Sequence, residues 1–191
     1  MILDTQHTQL ILLGIIALAF FLALYFDLRI QKIPNILCLY VVAIGFTVQF
    51  MFFGWAGGLN GLLGLLTAFI ILFPAFYFKV LGAGDVKLMM AVGVITGPEL
   101  IAWSVAYATI AGGVTSLVLV LYKTGWQGVK ATLVRYYQCF YVKKYFKPSA
   151  GEAAALRVPY APALAIGWLW ACSQNEEILF AISTFRYQFF S

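Results

Sequence analysis

Gly82-Ala83-Gly84-Asp85-Val86-Lys87-Leu88-Met89-Met90-Ala91-Val92-Gly93-Val94-Ile95-Thr96-Gly97-Pro98-Glu99 sets an acid, a short apolar run and a break side by side. The apolar stretch it opens, 86–122, is too long for one crossing at about 1.5 Å per residue, and Thr96-Gly97-Pro98-Glu99 divides it. Glu99 is costly at the bilayer centre, so the turn belongs at the far membrane surface. Residues 86–96 then form a span about half the length of a full crossing, which takes roughly 20 residues. Such a span has a recessed start, with Asp85 below the water surface inside the protein. Irregular backbone such as 82–84 is tolerated there only when it is buried in protein or lines a water-filled cavity.

The rest of the chain has the composition of a membrane protein. Of its 191 residues 63% are hydrophobic and 10% charged, against roughly 25% charged in an ordinary soluble domain. Mean hydropathy is +0.94. Apolar runs at 9–26, 36–53, 59–80, 86–96, 100–122 and 159–172 predict an all-α, polytopic bundle of about six transmembrane helices. The whole of 1–191 reads as one membrane-embedded domain. Asp4 and His7 stand where a signal peptide carries basic residues, so the first run is expected to persist as a helix.

Six spans put the 27–35, 79–87 and 123–158 connections on one side. That side holds Arg29, Lys32, Lys79, Lys87, Lys123, Lys130, Arg135, Lys143, Lys144, Lys147 and Arg157, and the other holds only Arg186. The positive-inside rule makes the basic side cytoplasmic and both termini external. Within 123–158, Trp126, Val129, Leu133, Tyr137 and Phe140 recur at helical spacing among basic residues. This predicts an interfacial helix against anionic lipid. Gly57, Gly61, Gly64, Gly93 and Gly97 are read as sites of close helix packing.

Asp27 ends the first span and lands at the same membrane edge as Asp85. Two carboxyls a few ångströms apart cannot both ionise easily, so the pair holds one proton. One member can take a proton from water while the other donates to a carbonyl oxygen, which is the chemistry of an aspartic protease. The C-terminal carbonyls of the first span disfavour an anion at Asp27, and the N-terminal N–H groups of the next run favour one at Asp85. The shared proton is therefore expected on Asp27. Asp85 also suits an N-cap, and Gly82 and Gly84 would let an extended substrate backbone approach. Cys38, Cys139 and Cys172 are scattered and His7 is the single histidine, so no zinc site and no other metal or cofactor is expected. His7 falls on the opposite side from both aspartates, which argues against a His-dependent nucleophile.

Phe26-Asp27-Leu28-Arg29 with Ile33-Pro34-Asn35, then Gly82-Ala83-Gly84-Asp85-Val86-Lys87-Leu88, then Val158-Pro159-Tyr160-Ala161-Pro162 resembles the type IV prepilin peptidases, the GxGD membrane aspartyl proteases of bacteria. The resemblance covers roughly 10–172. It implies cleavage of the basic leader of prepilins or pseudopilins on the cytoplasmic face of the inner membrane. It also implies Asp27 and Asp85 as the catalytic dyad, Gly82 and Gly84 as shapers of the catalytic loop, and Pro159 and Pro162 as part of the wall of the site. Lys87 matches the motif and would give orienting or electrostatic support. The paired Cys-x-x-Cys motifs of the bifunctional members are missing, so methylation is not expected and the chain resembles the short form of tight-adherence (Flp-type) pilus systems. Expected partners are the prepilin and the lipid bilayer, with no nucleic acid. Archaeal preflagellin peptidases and signal-peptide-peptidase-like proteases share the GxGD logic, and Pro162-Ala163-Leu164 matches the PAL motif of the latter. A small proton-coupled transporter or a non-catalytic assembly factor is the reading of a different class. It would need polar groups continuing across the membrane, and the spans offer few.

Overall fold

The computed structural model describes residues 2–30, 32–78, 81–142 and 159–190. Five helices follow one another among them: α1 (Ile2–Ile30), α2 (Asn35–Tyr77), α3 (Ala83–Val142), α4 (Ala161–Gln174) and α5 (Glu176–Phe190). The fold is all-α. Helices over Thr8–Ile30, Asn35–Tyr77 and Ala83–Gln138 are long and apolar enough to cross a membrane. Contacts divide the chain into two compact units, Met1–Ala111 with Tyr160–Ser191, and Gly112–Pro159.

In the first unit, glycines at positive φ turn long apolar helices back on themselves. Gly54 has φ 60° and ψ −147° inside α2, a conformation that costs little only without a Cβ. Gly58 then lies against the Phe50 ring, and Gly61 lies near Phe46. The two arms of α2 are therefore antiparallel and correspond to the separate runs expected at 36–53 and 59–80.

Gly97, with φ 76°, reverses α3 in the same way. Before it, Gly93 meets the backbone of Gly64. After it, Glu99 and Leu100 share a pocket with Gln174 and Asn175, at the C-terminal end of α4. Ala108 lies against Gly167, nearer the start of α4. The break expected at Thr96–Glu99 is thus a reversal, and Glu99 is exposed there. Gly97 serves the turn and the close helix packing expected of it together, since its Cα lies against the Asn60 amide and its backbone lies against Gly64. Gly64 and Gly93 do pack as expected, because a Cβ on either would strike the other's backbone.

The short segment before Gly97 is apolar apart from Lys87 and Thr96, and the structure buries most of it. Val86, Leu88, Met89, Ala91, Val92, Val94 and Ile95 are all buried, as a largely apolar helix requires. Protein covers most of this segment, so its length need not match the bilayer. Turning at Gly97 strips its last carbonyls of helical partners. Buried Gln49, from the first arm of α2, replaces them: its Nε2 donates to Ile95 O at 3.0 Å and to Val94 O at 3.3 Å.

α1 packs against α2, α4 and α5, and α4 packs against α5. The Phe20 and Trp168 rings meet at 5.4 Å. Nearer the other end of that contact, Asp27 meets Ala161, so α1 and α4 run antiparallel. Gln9 borders a pocket with Asn60, Gly97 and Asn175. By helical rise it lies about 27 Å along α1 from Asp27, close to the roughly 30 Å hydrocarbon core of a bilayer.

The tail begins a new helix at Asn175, whose Oδ1 accepts the Ile178 N–H at 3.1 Å. Glu176 and Glu177 occupy the first turn of α5, where the helix dipole favours acid. Ile178 and Ala181 bury the inner face of α5. Its outer face keeps Phe180 exposed.

In the second unit α3 continues to Val142, with Gly125 at φ 62°. Trp126, Leu133, Val134, Tyr136, Tyr137 and Tyr141 are exposed. The Arg135 guanidinium lies 4.6 Å from the Tyr136 ring centre. The helix expected within 123–158 is present to that point. Lys143, Lys144, Lys147 and Arg157 lie outside the described residues, as does Lys79.

Candidate active site

Asp27 and Asp85 belong to different helices, and the fold of the first unit brings them together. Asp27 stands one turn before the end of α1 and is 7% exposed, and Asp85 stands in the first turn of α3 and is 9% exposed. Among the described residues these are the buried carboxylates. The charge on Asp27 acts directly on Asp85.

A buried carboxylate needs hydrogen-bond donors in place of water. Asp85 finds one in its own loop. Val86 N–H donates to Gly82 O at 3.3 Å, which makes Gly82 the N-cap of α3 and Asp85 the third residue of the helix. Gly82 N–H donates back to Asp85 Oδ2 at 3.2 Å. This is the returning half of a capping box, with an acid reaching from the third position to the cap. The N-cap role expected for Asp85 therefore falls to Gly82. A Cβ on Gly82 would sit 2.9 Å from Asp85 Oδ2, so only glycine leaves the carboxylate in place.

Asp27 finds its donor on another helix. Ala161 N–H, at the first position of α4, donates to Asp27 Oδ2 at 3.1 Å. The Tyr160 side chain makes no cap bond. Pro162 has no N–H to leave unsatisfied, and Ala163 N–H turns to Tyr160 O at 3.0 Å. Asp27 thus completes the start of α4 from a distant part of the chain. Asp27 and Asp85 both accept an N–H from a helix start. The contrast of helix ends on which the expected position of the shared proton rests is present, with Asp27 near the end of α1 and Asp85 in the first turn of α3, and the N–H from the start of α4 sets a second helix start against it at Asp27.

The α1–α2 connection closes over the same place. Buried Ile33 packs on Gly84, where a Cβ would meet Ile33 Cβ at 3.1 Å. Lys87 Nζ donates to Asn35 Oδ1 at 2.9 Å. Gly84 and Lys87, read from the sequence as support for the site, are therefore the two points where the start of α3 grips this connection. Asp85 also acts electrostatically on Tyr160 and on the Cys38 thiol.

Sequence reasoning gave no role to Ile33, Asn35, Tyr160 or the Ala161 N–H. The signal was present in the quoted motifs, since Ile33 packs on Gly84, Asn35 bonds Lys87 and Ala161 N–H bonds Asp27. A main-chain donor, however, leaves no mark in a sequence. Pro162 is half-buried in the first turn of α4, and Pro159 is half-buried in the other compact unit.

No curated protein and no solved structure matches the chain. A family model does, over residues 14–117, more than half of the sequence and both aspartates. Two carboxylates drawn from separate helices to one level lie inside the matched region, and the chain belongs to the type IV leader peptidase family.

Proposed function

We propose that the protein is an aspartic-type membrane endopeptidase that removes the leader of prepilins or pseudopilins. The observation that carries this reading is the pairing of Asp27 and Asp85. Each is buried, and each has one oxygen tied to a main-chain N–H, which leaves a second oxygen for water and substrate. With one proton on the pair, one carboxylate removes a proton from water as the water oxygen attacks the scissile carbonyl carbon. The other gives its proton to the carbonyl oxygen. The tetrahedral diol then returns a hydroxyl proton to the second carboxylate, the first protonates the departing nitrogen, and the C–N bond breaks. The dyad ends with the single proton it began with.

Six crossings fit this chemistry. The two arms of α2 and the reversal at Gly97 supply the turns, and the excess of basic residues on the dyad's side argues for a cytoplasmic site in the inner membrane. The test is processing of a co-expressed prepilin by the wild type, Asp27→Asn and Asp85→Asn. Acid–base groups contribute roughly 10²–10⁴-fold each. Cleavage is expected to fall by about 10³-fold or more in either variant at equal expression, and normal cleavage by either would rule out the two-aspartate mechanism. The mass of the mature N-terminus reports in the same experiment whether it is methylated.

A further inference from the structure

Lys87 and Met90, three residues apart on one face of α3, border a groove of about 560 Å³ that the two arms of α2 complete. Ile36, Leu39 and Val42 recur at helical spacing along its first-arm wall, and Leu65 comes from the second arm. Neither aspartate lines it, nor does any other carboxylate. Ile36 and Leu39 are 61% and 65% exposed, on a helix long and apolar enough to cross a membrane, so the groove opens toward lipid. Its polar groups are confined to one end. Asn35 is the first residue of α2, and its Oδ1 accepts a hydrogen bond from Lys87 Nζ at 2.9 Å. Val42 lies about 10 Å further along α2 by helical rise. The ammonium therefore stands where the apolar run of α2 begins, and the groove runs from it along that apolar run.

We infer that this groove binds one anionic phospholipid, with its phosphate at Lys87 and Asn35 and an acyl chain along Ile36, Leu39, Val42 and Met90. Charge complementarity carries the choice of occupant. Lys87 gives one of its three N–H donors to Asn35, and among the described residues it pairs with no carboxylate. The Asn35 amide accepts through its oxygen, which leaves its own N–H groups to donate. Both side chains thus offer donors, and a phosphate supplies only acceptors. The apolar wall fits any acyl chain, but the ammonium selects among headgroups. A zwitterionic headgroup brings a cation of its own beside the phosphate, which Lys87 repels, whereas phosphatidylglycerol brings none. Basic pockets between membrane helices hold anionic headgroups in this way, and the volume lies within the roughly 300–1,000 Å³ of ordinary ligand sites. A phosphate shared by Lys87 and Asn35 reinforces the link that already joins α2 to the start of α3.

Mass spectrometry of the intact full-length protein in detergent tests the selectivity, with phosphatidylglycerol or phosphatidylcholine of matched acyl chains added. The wild type is expected to retain one phosphatidylglycerol with a preference of about fivefold, the weight of one basic side chain near a headgroup. Lys87→Gln is expected to lose most of that preference and Lys87→Arg to keep it. Leu39→Trp fills the groove from an exposed position and is expected to weaken retention of both lipids. Equal retention of the two lipids by the wild type overturns the inference, as does an unchanged preference in Lys87→Gln. The location is read on the wild type alone, so it stands apart from the folding of any variant. In vesicles that contain phosphatidylglycerol with a diazirine in its acyl chain, adducts are expected on 36–42, 65 and 87–90. Adducts confined to other segments, or spread evenly over the lipid-facing helices, overturn the inference. So does a crosslinker at position 39 that captures a second copy of the chain or a prepilin in place of lipid. None of these readouts needs peptide cleavage, so the lipid site and the proposed activity fail or stand separately.

Discussion

Each catalytic candidate is held by one main-chain N–H, and this makes glycine at 82 and 84 a requirement of space. Gly82→Ala puts a methyl 2.9 Å from Asp85 Oδ2. It is expected to cut prepilin cleavage about 10–100-fold with little change in thermal stability, measured as rate and Tm on the same preparation. If the pair shares one proton, the rate follows a bell-shaped pH profile whose two limbs belong to the pair and not to either residue. A profile with a single limb would count against the shared proton. Asp27 and Asp85 were legible in the sequence because acid inside an apolar run is rare. The bond from Ala161 N–H was not, since it joins positions 134 residues apart through a group that every residue but proline carries.

At the level of elements, the segment before Gly97 was legible from its length and its Pro98 break. Gln49 was not, because an amide in an apolar run does not announce which carbonyls it will meet. Gln49→Leu leaves the Val94 and Ile95 carbonyls without their buried donor, and it is expected to destabilise the protein by about 1–3 kcal/mol in thermal unfolding in detergent. Gly64→Ala is expected to cost at least as much, since its methyl meets the Gly93 backbone with no flexible side chain to yield. Trp168→Phe serves as the contrast. The buried Trp168 Nε1–H has no acceptor among the described residues, so losing it while a ring stays against Phe20 should leave Tm unchanged or slightly higher.

For the whole molecule, runs of apolar sequence gave the class of fold and the reversals at Gly54 and Gly97 gave its path. The excess of basic residues on one side is the basis of the orientation proposed for it. Single cysteines at Lys32 and Glu99, both exposed at opposite ends of the first unit, should react with impermeant reagent from opposite faces. Labelling of Lys32→Cys from outside intact cells would invert the proposed topology. The Asp27–Ala161 bond ties the proposed catalytic pair to architecture unequally. Asp85 is braced by its own loop, whereas Asp27 fastens a helix from the far end of the chain. A genetic selection for folded but inactive protein should therefore recover many replacements at Asp85, and at Asp27 chiefly asparagine, which still offers an oxygen to α4.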